Sequence, residues 1–251
     1  MKKGKILLGG AVAFLGLFAV VSCGKKEDEN DVLSYEEYIE TNDGEYVTID
    51  GYISGRCTWW DDVASFYLQD DEGGYYIYNL PCTQEQYNND LKVGQKISVT
   101  GQKSSWEGEV EILGKPDGED QATWKKLKGT KTYEPIELNS IEDMTNHKNQ
   151  LVKLQVQITS NETTTANGAA PAAGVDLMYN VSNPSNTGGA NYTFYLESYN
   201  ELSQYSTDEE SVYQTVLNFD KYDIYEVVGY AYTYKGPQLH TISANLISSP
   251  K

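Results

Sequence analysis

The chain has 251 residues, 37 of them acidic and 19 basic, for a formal charge of −18, and 12% are aromatic, including 21 tyrosines. Arg56 is the sole arginine, so no surface is rich in the cations that neutralise phosphates and dominate nucleic-acid affinity, and nucleic acid is not favoured as a partner. Lys125, Lys126, Lys128 and Lys131 come nearest to a basic patch, but they fall in a connector between two modules.

Lys2, Lys3 and Lys5 precede an apolar run from Ile6 to Val21 that glycines interrupt. A positive start, a short apolar stretch and small residues at its end read as an export signal over residues 1–22 rather than a membrane span. Val20-Val21-Ser22-Cys23 resembles the lipobox of bacterial lipoproteins. That resemblance implies cleavage before Cys23 and acylation of the cysteine with palmitate-type chains, enough to anchor the protein to a membrane. Without Lys2, Lys3 and Lys5 the exported chain keeps 16 basic against 37 acidic groups, a charge of −21. Residues 23–31 are too polar to pack and form a tether. Its Lys-Glu-Asp run resembles tags that direct lipoproteins to the outer leaflet of an outer membrane; the alternative is a solvated spacer. The expected location is therefore the cell envelope, lipid-anchored at the outer membrane or cell surface.

From residue 33 the chain says nearly the same thing twice. Leu33–Ile39 followed by Tyr46–Ile53 recurs, without a gap, 105 positions later as Leu138–Met144 followed by Leu151–Ile158. Each copy reads as a short polar helix leading into an alternating strand. In the first copy Val47, Ile49, Gly51 and Ile53 face one way, and Thr48, Asp50 and Tyr52 the other. Further strands are expected at Ala64–Asp70 and Tyr75–Leu80, joined through the Asp71-Glu72-Gly73-Gly74 turn. A helix at Thr83–Leu91, with Thr83 as N-cap, precedes strands at Lys96–Gly101 and Glu109–Leu113.

Three strands, a helix and two strands is the order of an oligonucleotide/oligosaccharide-binding (OB) barrel. The chain resembles the OB modules of secreted bacterial lipoproteins and nuclease-associated proteins. Tyr46–Ile53, Phe66–Asp70 with Gly73-Gly74, Leu91–Gly101 and Trp106-Glu107-Gly108 carry that likeness. The expected fold class is mainly β: two tandem five-stranded OB barrels, each preceded by a short helix and with a helix between its third and fourth strands. The modules span residues 32–113 and 134–251, and residues 114–133 link them.

The second copy admits two alignments. Phe194-Tyr195-Leu196 stands 35 residues before Gly229, as Phe66-Tyr67-Leu68 stands before Gly101. Taking 194–196 as strand two leaves no third strand. Pairing Gly188-Gly189 with Gly73-Gly74 instead gives strands at Val175–Val181 and Tyr192–Glu197. A helix at Asp208–Leu217 and strands at Tyr222–Tyr232 and Gln238–Ile247 then complete a barrel, so the second alignment is adopted. The loop Ser160–Gly174, rich in Thr, Asn, Ala and Gly, is long.

OB barrels usually bind on the outer face of strands two and three, framed by the 1–2 and 4–5 loops. Trp59 and Trp60 fall in the first such loop, Trp106 in the second, and Tyr67, Tyr76 and Tyr78 on the face. Aromatic surfaces of this kind stack on sugar rings, bases or partner side chains. Arg56, Asp61 and Asp62 would orient a ligand. The alternative is structural, with tryptophans capping the barrel ends. The second copy has no tryptophan, and its corresponding face offers Thr193, Tyr195 and Glu197. Cys57 and Cys82 would fall at one end of the first barrel, where a disulfide would close a loop worth roughly 3–4 kcal/mol; otherwise they are small buried residues.

His147 and His240 have no partner readable in the sequence, and no zinc spacing, phosphate loop or nucleophile elbow occurs. The expectation is a non-enzymatic binding protein with neither cofactor nor metal. It would recognise a glycan or a protein, with single-stranded nucleic-acid capture or a structural role as alternatives.

Overall fold

A computed structural model describes residues 32–160, 163–165, 168–185 and 190–250. The export signal, Cys23, the tether and the Gly188-Gly189 pair lie outside the described residues.

Helix α1 (Tyr35–Glu40) starts at Ser34, which forms a capping box with Glu37. Strands β1 (Tyr46–Arg56), β2 (Val63–Gln69) and β3 (Gly74–Pro81) form an antiparallel meander. Helix α2 (Gln84–Asn89) is capped by Thr83 and leads to β4 (Gln95–Trp106) and β5 (Glu109–Leu113). Strand β4 pairs with β1 and with β5, while β3 meets β5 in parallel, so the five strands close as 1-2-3-5-4. Inside lie Ile49, Ile53, Phe66, Leu68, Ile77 and Val99, all fully buried. The alternation in Tyr46–Ile53 thus does what its period requires, filling a closed barrel.

One strand was not expected. Residues 123–130, assigned above to a linker, form β6 (Thr123–Thr130), antiparallel to the first half of β4. Most of its side chains are exposed, so burial leaves no period-two signature in its sequence. Lys125, Lys126 and Lys128 therefore stand on an ordered strand rather than a loose connector.

The second barrel repeats the plan. After β7 (Ile136–Glu137), the expected second helix is a 3₁₀ turn at Glu142–Asn146, entered through Ser140, whose amide donates to Asp143 Oδ2 at 3.0 Å and whose hydroxyl accepts from the Asp143 amide at 3.3 Å. Strands β8 (Leu151–Ile158), β9 (Thr164–Thr165), β10 (Leu177–Ser182) and β11 (Tyr192–Leu196) precede α3 (Val212–Leu217), β12 (Ile224–Thr233) and β13 (Pro237–Ser248). Closure runs β8-β10-β11-β13-β12, with β11 and β13 parallel, which matches the first barrel strand for strand. Residues 194–196 lie in the third strand, as the adopted alignment requires.

The barrels share a buried interface. All seven residues of β2 are buried, because Ala64, Phe66 and Leu68 point into the first core while the opposite face meets the second barrel. Tyr67 stacks on Tyr230 with ring centroids 3.9 Å apart, and the Tyr230 hydroxyl donates to the Ser54 carbonyl at 2.8 Å. Such a ring pair contributes roughly 0.5–1.5 kcal/mol beyond its buried area. This approach requires glycine at 55, where a Cβ would overlap the Tyr230 hydroxyl, and at 74, where it would strike the Asn149 backbone.

Polar groups finish the seam. Arg56 Nε donates to Glu201 Oε2 at 2.6 Å, its Nη1 reaches the Tyr87 and Leu91 carbonyls, and its guanidinium lies 4.2 Å over the Tyr87 ring. Buried Glu109 accepts from Asn149 Nδ2 at 2.6 Å and from the Thr233 amide at 2.8 Å.

Candidate functional site

Two short turns aim tryptophans at one surface. Trp60 and Val63 exchange backbone bonds across Asp61-Asp62, both of which have positive φ (47° and 60°). Trp106 pairs with Glu109 across Glu107-Gly108, at φ 49° and 103°. Positive φ at both central positions marks the tight hairpin turns whose twist suits the adjoining strands. Aspartate tolerates that region because its short side chain satisfies local backbone groups. Trp60 and Trp106 consequently project into solvent, 71% and 60% exposed.

Between them runs a groove along the junction of the barrels. Three adjoining hollows make it up, of about 280, 390 and 280 Å³. The first has Trp60, Tyr78 and Tyr199 on its walls; the second Tyr76, Tyr78, Trp106, Glu111 and Tyr232; the third Trp106, Asp176, Tyr195, Tyr234 and His240. Glu197 lines all three.

The candidate residues separate accordingly. Trp60, Tyr76, Tyr78 and Trp106 meet in the groove, Tyr76 largely buried in its floor and Tyr78 half-exposed. Tyr67 does not: it points outward from the first barrel, as alternation requires, but the second barrel covers it completely. Trp59 packs against the first core, and its indole N–H donates to the Cys82 carbonyl at 2.9 Å. Arg56 serves the seam instead of a ligand. The expected disulfide is not formed: Cys57 and Cys82 are both free and buried, Cys57 turned toward Glu197 at the junction and Cys82 packed in the first core.

Groups that sequence reasoning underrated dominate the electrostatics. His240 Nδ1 lies 3.3 Å from Glu197 Oε2 and 2.5 Å from the Tyr67 hydroxyl, with its ring stacked on Tyr232 at 4.1 Å. Burial opposes charge on both members of this pair, yet their mutual attraction prevails, holding Glu197 below the usual carboxylate range and His240 above the usual imidazole value. Burial pushes Glu109 up to about 7, and burial with help from Glu109 does the same to Glu111. The Cys57 thiol is raised well above its ordinary value by burial and by Glu197, so it is not poised as a nucleophile. Among the described residues, no group of three or more His, Cys, Asp or Glu side chains is placed to hold a metal ion.

No protein-family model matches the chain. No curated protein matches it either. Among solved structures it is similar to the hypothetical protein ygiW from E. coli, at 19% identity over 39% of this chain and 90% of that one, with a TM-score of 0.27. It is also similar to the single-stranded DNA binding protein from Thermus aquaticus (14% identity, 84% and 96% of the chains, TM-score 0.27). A murine DNA binding protein bound with double-stranded DNA matches at 6% identity over 80% and 99% of the chains, with a TM-score of 0.34. The matches to DNA-binding proteins overturn the expectation that disfavoured nucleic acid as a partner. DNA binding is a property of those proteins.

Proposed function

We propose that this chain is a binding protein whose groove holds successive rings of a linear ligand, stacked on Trp60, Tyr78 and Trp106. The observation that carries the reading is the pair of exposed tryptophans held on two-residue turns at one continuous groove. Rigid aromatics bordering a concave surface are characteristic of ligand sites, and each stacked ring contributes roughly 1–3 kcal/mol.

Two ligand classes present rings in series. A glycan offers sugar faces to the indoles and hydroxyls to Glu197, Glu111 and Asp176. Single-stranded nucleic acid is the second reading. It is favoured by the exposed lysines of β6, although Lys126 is ion-paired with Asp90 at 2.9 Å.

The same reading includes a lipid anchor. Acylation at Cys23 would tether the barrels to the cell envelope through residues 24–31, at the outer membrane or the cell surface. Among the described residues no helix is long and apolar enough to cross a membrane. Labelled palmitate should enter the wild-type protein and not Cys23→Ser; equal labelling of the two removes the anchor.

Tryptophan fluorescence of the full-length protein, titrated with neutral oligosaccharides and with oligothymidylate at low and high salt, tests the groove. Glycan binding should be nearly indifferent to salt, whereas nucleic-acid binding should weaken steeply. Trp60→Ala and Trp106→Ala should each weaken binding about tenfold or more. Unchanged binding in the double variant refutes the site.

A further inference from the structure

We propose that Glu197 is the residue that orients the ligand in this groove, and that the ligand it selects is a neutral, hydroxyl-rich glycan. The inference rests on the groove being the binding site.

Glu197 stands at the centre by position and by support. Leu196 before it is fully buried in the second core, and Ser198 after it donates both its amide and its hydroxyl to Asp176 Oδ1, each at 2.9 Å. The backbone on either side is therefore fixed. Its side chain keeps 23% exposure while facing all three hollows.

The carboxylate is held from behind. His240 Nδ1 lies 3.3 Å from Oε2, and the Cys57 thiol lies 3.9 Å from the same oxygen. His240 is itself fixed between the Tyr67 hydroxyl and the Tyr232 ring. Among the described residues, none donates to the other oxygen, Oε1. An ionised carboxylate accepts hydrogen bonds and cannot donate them, so it recognises a donor. Tyr76, Tyr78, Trp106 and Tyr232 meanwhile offer ring faces beside it.

A pyranose satisfies both demands within one unit, presenting C–H groups on its face and hydroxyl donors around its edge. Charge-assisted bonds of this type are the stronger ones. A phosphate supplies acceptors only and offers the Glu197 carboxylate no donor, whereas sugar hydroxyls supply one.

The test is binding of the full-length protein to an array of neutral glycans, with oligothymidylate in parallel. Glu197→Gln keeps the size and an acceptor for His240 but removes the charge. It should weaken glycan binding about ten- to a hundredfold, read well below a melting temperature that falls as the pair with His240 is lost. Glu197→Asp, which keeps the charge but withdraws it by one methylene, should also weaken binding and guards against a folding artefact in the first variant. If Trp60→Ala and Trp106→Ala abolish binding while both Glu197 variants bind normally, the groove stands and this inference falls. It falls too if no neutral glycan binds the wild type, or if only oligothymidylate binds and Glu197→Gln strengthens it. If neither the tryptophan nor the Glu197 variants change binding, both readings fall.

Discussion

The two barrels share one strand order and divide its surfaces differently. In the first, the face of strands two and three is covered at Tyr67 by the second barrel and open at Tyr78. In the second, the corresponding strands contribute Tyr195 and end beside Glu197, and both line the groove. The first copy supplies both tryptophans with Tyr78 and Glu111, and the second supplies Glu197 and Asp176 with Tyr195, Tyr199, Tyr232 and Tyr234. Duplication has thus yielded two barrels that each supply one wall of a single groove.

The contrast breaks most severely at the seam. Tyr230→Ala removes the ring stacked on Tyr67 and the bond to Ser54, and should cost about 3–5 kcal/mol. Calorimetry should then resolve two transitions in the variant and one in the wild type. A single unshifted transition would mean that the barrels do not stabilise each other.

Adjacent tryptophans sharpen the comparison next. Trp59→Ala empties a site against the first core and should cost about 2–4 kcal/mol, whereas Trp60→Ala should change stability by less than about 0.5 kcal/mol. Equal losses in chemical denaturation would refute the division between them.

The carboxylates at the junction give a smaller effect, with a definite sign. Glu109 and Glu111, raised from 4.5 to about 7, hold extra protons in the folded state between those values, so stability falls as pH rises through that window. His240, raised above 6.5, adds stability below that value which is lost as pH climbs through its folded pKa. Glu197, lowered, works in the opposite direction and loses its contribution as pH falls below 4.5. Melting temperature should therefore peak in mildly acidic solution and drop by several degrees toward pH 8, and Glu109→Gln should flatten the decline. A flat wild-type profile would contradict the burial of these groups.

The smallest effect is expected at the helix starts. Ser34→Ala should cost about 1 kcal/mol by breaking the capping box of α1, while Ser140→Ala, which breaks the Ser140–Asp143 pair at the corresponding turn, should cost less because that turn is a short 3₁₀ stretch rather than an α-helix. Equal sensitivity at both places would erase that difference.

Much of the architecture was legible because alternation and glycine spacing act locally. Val47, Ile49 and Ile53 point inward in any half-buried strand, and the common spacing of Gly101 with Gly108 and of Gly229 with Gly236 set the alignment of the last two strands. Strand β6 escaped because its exposed lysines carry no burial period. The seam escaped for a different reason: alternation tells which side chains leave a barrel, not whether another barrel waits for them. Tyr67 and Tyr230 are 163 positions apart, and no local rule joins them. A readable trace did exist in the tyrosine-rich outer faces of both copies and in glycines at 55 and 74 inside otherwise good strands. Glu197 drew little notice for the same reason, since its partner His240 arrives from another strand.

The tight turns beneath Trp60 and Trp106 have a consequence for thermodynamics. With only two residues in each loop, both held in place by backbone pairing, the backbone beneath the indoles has little conformational freedom left to surrender when a ligand arrives. Association should then resemble a fit into a fixed gauge: small rearrangement between free and occupied forms, and sharp rejection of chains whose ring repeat does not match the distance between the two posts.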